Sequence, residues 1–519
     1  MTPAKKKSFE IHPFSIITLK KILADKSDAP PEIIEAKSHC QYFYDYLAHL
    51  GARTILVEND YIDRDFFEDF SEFYVRCFHD YGRKCTRLHF FKNRFTKGNF
   101  NKLLDKDISN IDEEKLNKNY LGFIVIKPLP RTIFGRTCLK TYDSDGGRRN
   151  YPTTRKYEIH LFGLKLIIDS LAFQEQDRVV AACATSALWS VFHRTGILFH
   201  HPILSPVDIT KAACEPLPLV TRTFPNVGLT DYQMAVAIRK VTLEPFIVKA
   251  IDQNVLRATI YAYINIGVPI VMSIYLYDFS GPKPVYVDRH AVAITGFSLD
   301  NASPPIPLGP NNFLMKATKI NEIYAHDDQV GPFAKMVLNQ GIADIKIDNF
   351  DKVDTISTNM LGGNIKAVPD TLLIPLYHKI RINFASIKEV VSLFDSFLEV
   401  MRSSGVFCLP TQFEWDIYLT ETNKLKEKLL ASPFLDKNER RKILLENLPR
   451  FVWRATAFCG DTPQIDLIFD ATDIEQGLCL TRAIKYNNDI FNLLLTISKN
   501  PASKTSPIWK ILKWFSMIQ

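Results

Sequence analysis

The segment "VVAACATSALWSVFHRTG", residues 179–196, decides how the middle of this chain is interpreted. Small and apolar side chains recur at the spacing of one helix face, at Ala184, Ala187, Leu188 and Val191. This spacing predicts a helix whose face is buried, and Gly196 is typical of a helix C-terminal end. Cys183 stands where the pattern begins, so the segment predicts a buried helix with one cysteine near its start.

Two interpretations of Cys183 follow from the residues. If the helix begins at this cysteine, the unpaired N–H groups and the dipole of the first turn favour a thiolate, which is the nucleophilic form. If Asp177 caps a longer helix that runs from Arg178, Cys183 lies in the second turn as a small apolar packing residue. Both interpretations are open at this point.

Two later segments supply the other groups that a cysteine nucleophile needs. The stretch "VDRHAVAITGFSLD" (287–300) predicts a strand that begins at His290, a rigid position for a general base. The stretch "INEIYAHDDQVGPF" (320–333) predicts another strand, with Asp327 and Asp328 at its end. A carboxylate there is suited to fixing the tautomer of the imidazole.

Four segments occur in an order that resembles a known family. They are "FQEQDRVVAACATSALW" (173–189), "IGVPIVMSI" (266–274), "RHAVAITGF" (289–297) and "IYAHDDQVG" (323–331). The chain here resembles the papain-like cysteine peptidases, in particular the bacterial branch similar to bacteriocin-leader-processing peptidases. The resemblance covers about residues 165–345.

The resemblance implies a role for each matched residue. Cys183 would be the nucleophile, and His290 the base that then protonates the leaving group. Gln176 and the backbone N–H of Cys183 would be the oxyanion donors, although six residues separate Gln176 from Cys183 and the family usually has five.

The group that orients His290 is left open between two neighbours. Counting back from Gly331, as in the family's Asn-Ser-Trp-Gly, favours Asp328. The buried strand face through Ile323 and Ala325 favours Asp327.

The implied function is that of a thiol protease, a papain-like hydrolase with a catalytic triad that cleaves an amide or isopeptide bond through a thioester on Cys183. This chemistry needs no metal or other cofactor. The alternative is a catalytically inactive papain-like scaffold or binding protein. The expected partners are a protein or peptide substrate and a regulatory protein. The flanking regions would supply substrate recognition, inhibition or partner binding.

Length and composition predict a multidomain α+β protein. The chain has 519 residues, of which 46% are hydrophobic, enough for several cores. Changes along the sequence divide the chain into an N-terminal α+β region at 1–160, a middle region at 161–350 and a C-terminal α+β region at 365–519. The resemblance implies that the middle region is a papain-like core. The first boundary follows the polar, glycine-containing stretch at 142–156.

The remaining signals favour a cytoplasmic protein. The nine cysteines are odd in number and form no Cys-x-x-Cys pair, as expected for free thiols in a reducing compartment. The N-terminus lacks the pattern of a secretory signal, and the apolar stretch 260–279 is interrupted by Gly267 and Pro269, which argues against a membrane span. The net charge of +7 is scattered and no nucleic-acid motif is present, so nucleic acid is not an expected partner.

Overall fold

The computed structural model describes residues 8–107, 112–177, 179–215, 223–226, 228–360, 363–407, 409, 411–473 and 480–517. Helices account for 36% and strands for 31% of the chain, which agrees with the predicted α+β class. Two compact units are formed. The first contains residues 1–251, 269–297 and 322–375, and the second contains 252–268, 298–321 and 376–519. The middle region predicted from the sequence, 161–350, therefore contributes residues to both units.

The helices of the described residues are α1 (Ile16–Lys26), α2 (Pro31–Ala36), α3 (Ser38–His49), α4 (Arg64–Glu72), α5 (Lys97–Leu104), α6 (Glu113–Lys118), α7 (Cys183–Phe199), α8 (Pro206–Cys214), α9 (Asp231–Lys240), α10 (Gln253–Ile264), α11 (Phe384–Ser403), α12 (Thr422–Leu430), α13 (Lys437–Leu445), α14 (Asn488–Ser498) and α15 (Trp509–Met517).

The strands are β1 (Phe9–Pro13), β2 (Thr54–Tyr61), β3 (Cys85–Phe91), β4 (Tyr120–Ile126), β5 (Phe134–Leu139), β6 (Arg149–Asn150), β7 (Arg155–Leu161), β8 (Leu164–Ser170), β9 (Leu243–Lys249), β10 (Ile270–Asp278), β11 (Val285–Leu299), β12 (Leu314–Met315), β13 (Ile320–Asp327), β14 (Gly331–Val337), β15 (Ile342–Ala343), β16 (Val353–Asp354), β17 (Ile356–Ser357), β18 (Ile365–Tyr377), β19 (Glu414–Glu421), β20 (Phe451–Cys459), β21 (Thr462–Asp470) and β22 (Leu480–Lys485).

The N-terminal part of the first unit is an antiparallel sheet with the strand order β1-β2-β3-β4-β5. Every residue of β3 and β4 is buried, so both faces of these central strands are covered. The core contains apolar side chains of α1 and α3 together with those of the sheet, among them Leu23, Phe43, Val57, Phe90 and Ile124. Helix α3 is therefore fixed against the sheet, and it carries a histidine that reaches the site described below.

The sheet that carries the histidine and aspartate strands closes on itself. Its strands follow the order β10-β11-β13-β14-β17-β18-β9, and β18 also pairs with β10. Six strands thus form a closed antiparallel arrangement, which leaves no free edge between β10 and β18. Helix α7 packs against β10.

Gly296, in the "RHAVAITGF" segment, marks a close approach of two backbones. Strand β6 pairs with β11 at this level, and a Cβ atom at position 296 would lie 2.4 Å from the carbonyl oxygen of Asn150. Only glycine fits such a contact. The strand that carries His290 is therefore held tightly along its buried half.

The predicted end of α7 at Gly196 is wrong. The helix continues through this glycine to Phe199 and ends at His200, which adopts a left-handed backbone with φ 58°. Gly196 instead allows the chain that follows the helix to pack close by, because a Cβ atom there would lie 2.8 Å from the Ile203 side chain. The glycine serves packing, and the histidine terminates the helix.

The second unit is built around a sheet with the order β12-β19-β20-β21-β22. Strands β20 and β21 form a hairpin whose turn contains Gly460 at φ 58°. Helices α12 and α13 cover part of this sheet, with Leu425, Leu429 and Ile443 packed on apolar residues of the strands. No helix among the described residues has the length and apolar character needed to cross a membrane.

Asp395, on α11, is a buried carboxyl group in the core of the second unit. The indole N–H of Trp415 donates to its Oδ1 at 2.7 Å, and burial raises its pKa to about 7. The folded state therefore keeps a proton that the unfolded chain releases near the ordinary aspartate pKa. Rising pH between these two values destabilises the fold by up to about 1.4 kcal/mol per pH unit.

Asp395→Asn is expected to remove this pH dependence. Between about pH 4 and pH 7, the free energy of unfolding of the second unit should fall by about 3 kcal/mol more in the wild type than in the variant. Tryptophan fluorescence during denaturant unfolding measures this, because four of the five tryptophans lie in the second unit. Asp461→Asn in the exposed hairpin turn is the control and should follow the wild type.

Candidate active site

Cys183 is the first residue of α7, with Ala182 as the N-cap. The thiol is free and only partly buried, whereas Ala184, Ala187 and Leu188 behind it are fully enclosed. The cysteine therefore occupies the helix N-terminus, where unpaired backbone N–H groups and the helix dipole favour an anion. The alternative in which a longer helix places Cys183 in its second turn is wrong.

Asp177 organises the loop in front of α7 instead of capping a helix. Its Oδ1 accepts the backbone N–H groups of Val179, Val180 and Ala181 at 2.9, 2.8 and 2.8 Å. Its Oδ2 accepts the hydroxyl of Tyr74 at 3.1 Å. The carboxylate thus closes a tight loop that ends just before the helix, and this loop sets where the helix begins.

Asp177→Ala is expected to loosen this loop. Three N–H groups, two of them buried, would lose their acceptor, at a cost of about 2 kcal/mol or more. Hydrogen exchange of the amides at 179–181, followed by mass spectrometry, should then lose more than tenfold in protection. Tyr74→Phe removes one hydrogen bond to the same carboxylate and should change this protection by less than tenfold. Equal exchange in Asp177→Ala and the wild type would contradict the assigned role.

His290 stands at a change of environment within β11. The five residues before it, 285–289, are exposed, and the strand is buried from His290 onward. His290 pairs with Ile274 of β10 and is 2% exposed. This placement holds the ring between packed strands while its neighbours on the N-terminal side face outward.

Both sides of the His290 ring are engaged by side chains that the sequence singled out. Its Nε2 lies 2.9 Å from Oδ1 of Asp327. The Cys183 side chain also interacts with the ring, and this interaction contributes to raising the pKa of His290. Asp327 contacts Nε2, so Nδ1 is the ring nitrogen that this carboxylate leaves open. The structure therefore brings Cys183, His290 and Asp327 together as a connected chain of three groups.

The charge of His290 is stabilised by this arrangement. Burial alone would lower the pKa of the ring. The charge of Asp327, the hydrogen bond with Asp327, the interaction with Cys183 and the charge of Asp328 outweigh the burial, so the pKa of His290 lies well above its ordinary value. An imidazolium beside Cys183 stabilises a thiolate.

Of the two aspartates, Asp327 is the one that binds the ring. Its Oδ1 also accepts the backbone N–H of Gln329 at 3.0 Å, which fixes the carboxylate. Oδ1 of Asp328 lies 3.7 Å from His290 Nε2, beyond hydrogen-bond distance. Asp327, the residue favoured by the buried strand face, is therefore the one that contacts His290. The count from Gly331 favoured Asp328, which does not form this hydrogen bond.

Asp328 is held in place through its backbone. The Nε2–H of His39, on α3, donates to the Asp328 carbonyl oxygen at 2.8 Å. Burial raises the pKa of the Asp328 carboxyl to about 7, against the charge of His290, which lowers it. Oδ1 and Oδ2 of Asp328 accept no hydrogen bond from any residue in the described part of the chain. Asp328 is thus a second buried carboxyl group next to the histidine.

A cavity of about 1080 Å³ adjoins the site within the first unit. Gln176 and Asp328 both line it, so it extends from the loop before α7 to the end of β13. Much of the remaining wall is apolar or aromatic, including Tyr42, Leu276 and Val287. Gln176 is half-buried at this wall, and its role as an oxyanion donor stays a prediction.

Three residues near the site were not singled out as its components by the sequence. Glu175 is buried and pairs with Lys37, and His39 supports Asp328. Asp177, considered as a helix cap, instead shapes the loop before Cys183. Glu175 and Asp177 both lie in the short segment "FQEQD". Their side-chain partners, Lys37 and Tyr74, are more than 90 residues away in the sequence, and the amides that Asp177 binds are brought to it only by the conformation of the loop.

A group of atoms able to ligate a metal is present. Ligand atoms of His290, Asp327 and Asp328 all lie within 4.8 Å of one another. The sequence-based expectation that the protein uses no cofactor stays a prediction.

Comparison with known proteins assigns no family. No protein-family model matches the sequence, and no curated protein matches it. The resemblance to papain-like peptidases therefore rests on the sequence motifs alone.

Proposed function

We propose that this protein is a papain-like cysteine hydrolase, a peptidase or an amide or isopeptide hydrolase. The observation that carries the proposal is the connected chain of Cys183 at the head of a buried helix, His290 on a neighbouring strand and the buried Asp327 behind it. Nucleophile, base and orienting group in this order are the recognised elements of nucleophilic catalysis.

The reaction proceeds by acyl transfer. The Cys183 thiolate attacks the carbonyl carbon of an amide, and the carbonyl electrons move to oxygen to give a tetrahedral oxyanion. When the intermediate collapses, the C–N bond breaks and the imidazolium of His290 gives its proton to the departing amine. A thioester on Cys183 remains.

The second half of the reaction uses the same base. Neutral His290 takes a proton from water, the resulting hydroxide attacks the thioester, and the C–S bond breaks to release the acid and the thiolate. Asp327 stabilises the imidazolium at each stage and holds Nε2 as the donor. The backbone N–H of Cys183 and the side chain of Gln176 would donate to the oxyanion.

The architecture of the first unit is compatible with this proposal. A helix carries the nucleophile, a closed antiparallel sheet carries the base and the carboxylate, and the helix packs on one strand of that sheet. The adjoining cavity offers room for a peptide segment, so a protein or peptide is the proposed substrate. A cytoplasmic location and a regulatory partner remain part of the proposal.

The competing proposal is a scaffold that keeps the geometry without catalysis. It predicts no acyl intermediate. The two are separated by incubating the protein with p-nitrophenyl acetate, a simple acyl donor, and mapping the acetylated residue by mass spectrometry.

A hydrolase should carry one acetyl group on Cys183 that hydroxylamine removes, as expected for a thioester. The matched control is Cys77→Ala, because Cys77 is another free, partly buried cysteine of the first unit. That variant should be acetylated like the wild type, and Cys183→Ala should not. Acetylation spread over several cysteines, or absent from Cys183, would favour the scaffold.

A further inference from the structure

Asp328 is a buried carboxyl group that the proposed mechanism does not use. One carboxylate, Asp327, is enough to orient His290 and stabilise its charge. A second carboxylate buried beside the first is costly, since each anion loses its hydration. Asp328 is 4% exposed and Asp327 is fully buried. A cation bound between the two carboxyl groups would offset this cost.

The carboxylate oxygens have unused capacity. Within the described residues, Oδ2 of Asp327 and both oxygens of Asp328 accept no hydrogen bond. Buried polar atoms in native proteins are nearly always satisfied. Three such atoms on two adjacent side chains, in contact with one imidazole, form a concentrated set of donors for a cation.

The spacing of the donors fits a tetrahedral metal. With metal–ligand bonds of about 2.0 to 2.1 Å, the ligand atoms of a tetrahedral zinc site are about 3.3 Å apart. His290 Nε2 lies 2.9 Å from Asp327 Oδ1 and 3.7 Å from Asp328 Oδ1, which brackets this value. Small movements of two carboxylates would equalise the distances.

We propose that His290, Asp327 and Asp328 form a binding site for a divalent zinc-type cation, which reversibly switches off the active site. One imidazole and two carboxylates suit Zn²⁺ or Co²⁺, whereas Ca²⁺ takes six to eight oxygen ligands. The cavity lined by Asp328 supplies water for the fourth position. His39 supports the site by holding the Asp328 backbone.

Inhibition follows from the nitrogen that the metal occupies. Binding displaces the proton from Nε2 to solvent, and the electron pair of Nε2 then bonds to the metal. Nδ1 keeps its own proton, so the ring has no electron pair left to accept one from a thiol or from water. The inhibitory effect rests on the proposed function, while the metal site itself does not.

The test is titration of the full-length protein with Co²⁺, whose visible absorption reports tetrahedral coordination. Cys183→Ala should bind Co²⁺ as the wild type does, because the thiol is not a ligand. Asp328→Asn should bind at least tenfold more weakly. His290→Gln is a second variant that removes a ligand without altering either carboxylate, and it should also lose tenfold or more. Asp395→Asn, a buried carboxyl group in the second unit, is the matched control and should bind normally.

The outcomes separate this inference from the proposed function. Loss of the Co²⁺ spectrum in Cys183→Ala with retention in Asp328→Asn would overturn the inference, because the thiol would then hold the metal. Absence of Co²⁺ binding by a protein that is acetylated on Cys183 would overturn it as well. Normal binding by a protein that forms no acyl intermediate would support the metal site and contradict the proposed hydrolase.

Discussion

Replacing Cys183 by alanine is expected to lower the rate of amide hydrolysis by on the order of 10⁵- to 10⁶-fold. In the proposed reaction the thiolate of Cys183 forms the covalent bond to the substrate, and alanine has no atom that can do so. The measurement is the appearance of new peptide termini when a proteome-derived peptide mixture is incubated with each protein and followed by mass spectrometry.

The control for this variant keeps the number of cysteines equal. Cys77→Ala removes a thiol whose Sγ lies 3.7 Å from the Phe73 carbonyl oxygen, its hydrogen-bond acceptor, and should leave the rate within about twofold of the wild type. Circular dichroism should show that both variants are folded. A Cys183→Ala protein that cleaves peptides at the wild-type rate would exclude the assigned nucleophile.

His290→Gln is expected to cause a loss of similar size. Glutamine is neutral and cannot cycle a proton between the thiol, the leaving amine and water, so both halves of the reaction lose their base. Because nucleophile and base act as a unit, the double variant Cys183→Ala/His290→Gln should be no less active than Cys183→Ala alone. The same peptide-mixture assay measures both effects.

An exposed histidine of the first unit provides the comparison. His160 lies on β7 with its side chain in solvent, and His160→Gln should retain the wild-type rate. If His290→Gln hydrolysed peptides as fast as His160→Gln, the base would have to be another group. If the double variant were far slower than either single variant, the two side chains would act independently.

The two principal site residues could be predicted because their signals are local. The apolar spacing after Cys183 indicated a buried helix, and the run of small and branched residues after His290 indicated a buried strand. Both elements are present. Cys183 is the first residue of its helix, and His290 is the first buried residue of its strand. The order of the motifs along the chain added the expectation that they meet.

The choice between Asp327 and Asp328 depended on the strand register near the end of β13, which cannot be read from the sequence. The pairing of β13 with β14 shifts register between Ala325 and Asp327, just before the strand ends. At such a point, neighbouring residues can exchange faces, so counting from either end gives different answers. Strand alternation from Ile323 selected the residue that contacts His290.

His39, Glu175 and Asp177, which support the site, could not be predicted from the sequence. Their partners are either distant in the sequence or depend on the path of the backbone. His39 reaches Asp328 across 289 positions of sequence, and Lys37 reaches Glu175 across 138. Asp177 has the same short side chain whether it caps a helix or closes a loop, and only the backbone path distinguishes the two. The helix end was misjudged because a glycine that serves packing resembles one that terminates a helix.

In the proposed mechanism, His290 activates Cys183. The most direct measurement is the rate of carboxamidomethylation of each cysteine by iodoacetamide at mildly acidic pH, with a chelator present, in the wild type and in His290→Gln. We predict that Cys183 of the wild type reacts at least about 10²-fold faster than Cys77, and that His290→Gln removes this advantage. Equal rates for Cys183 and Cys77 in the wild type, or a rapid reaction of Cys183 that persists in His290→Gln, would show that His290 does not activate Cys183.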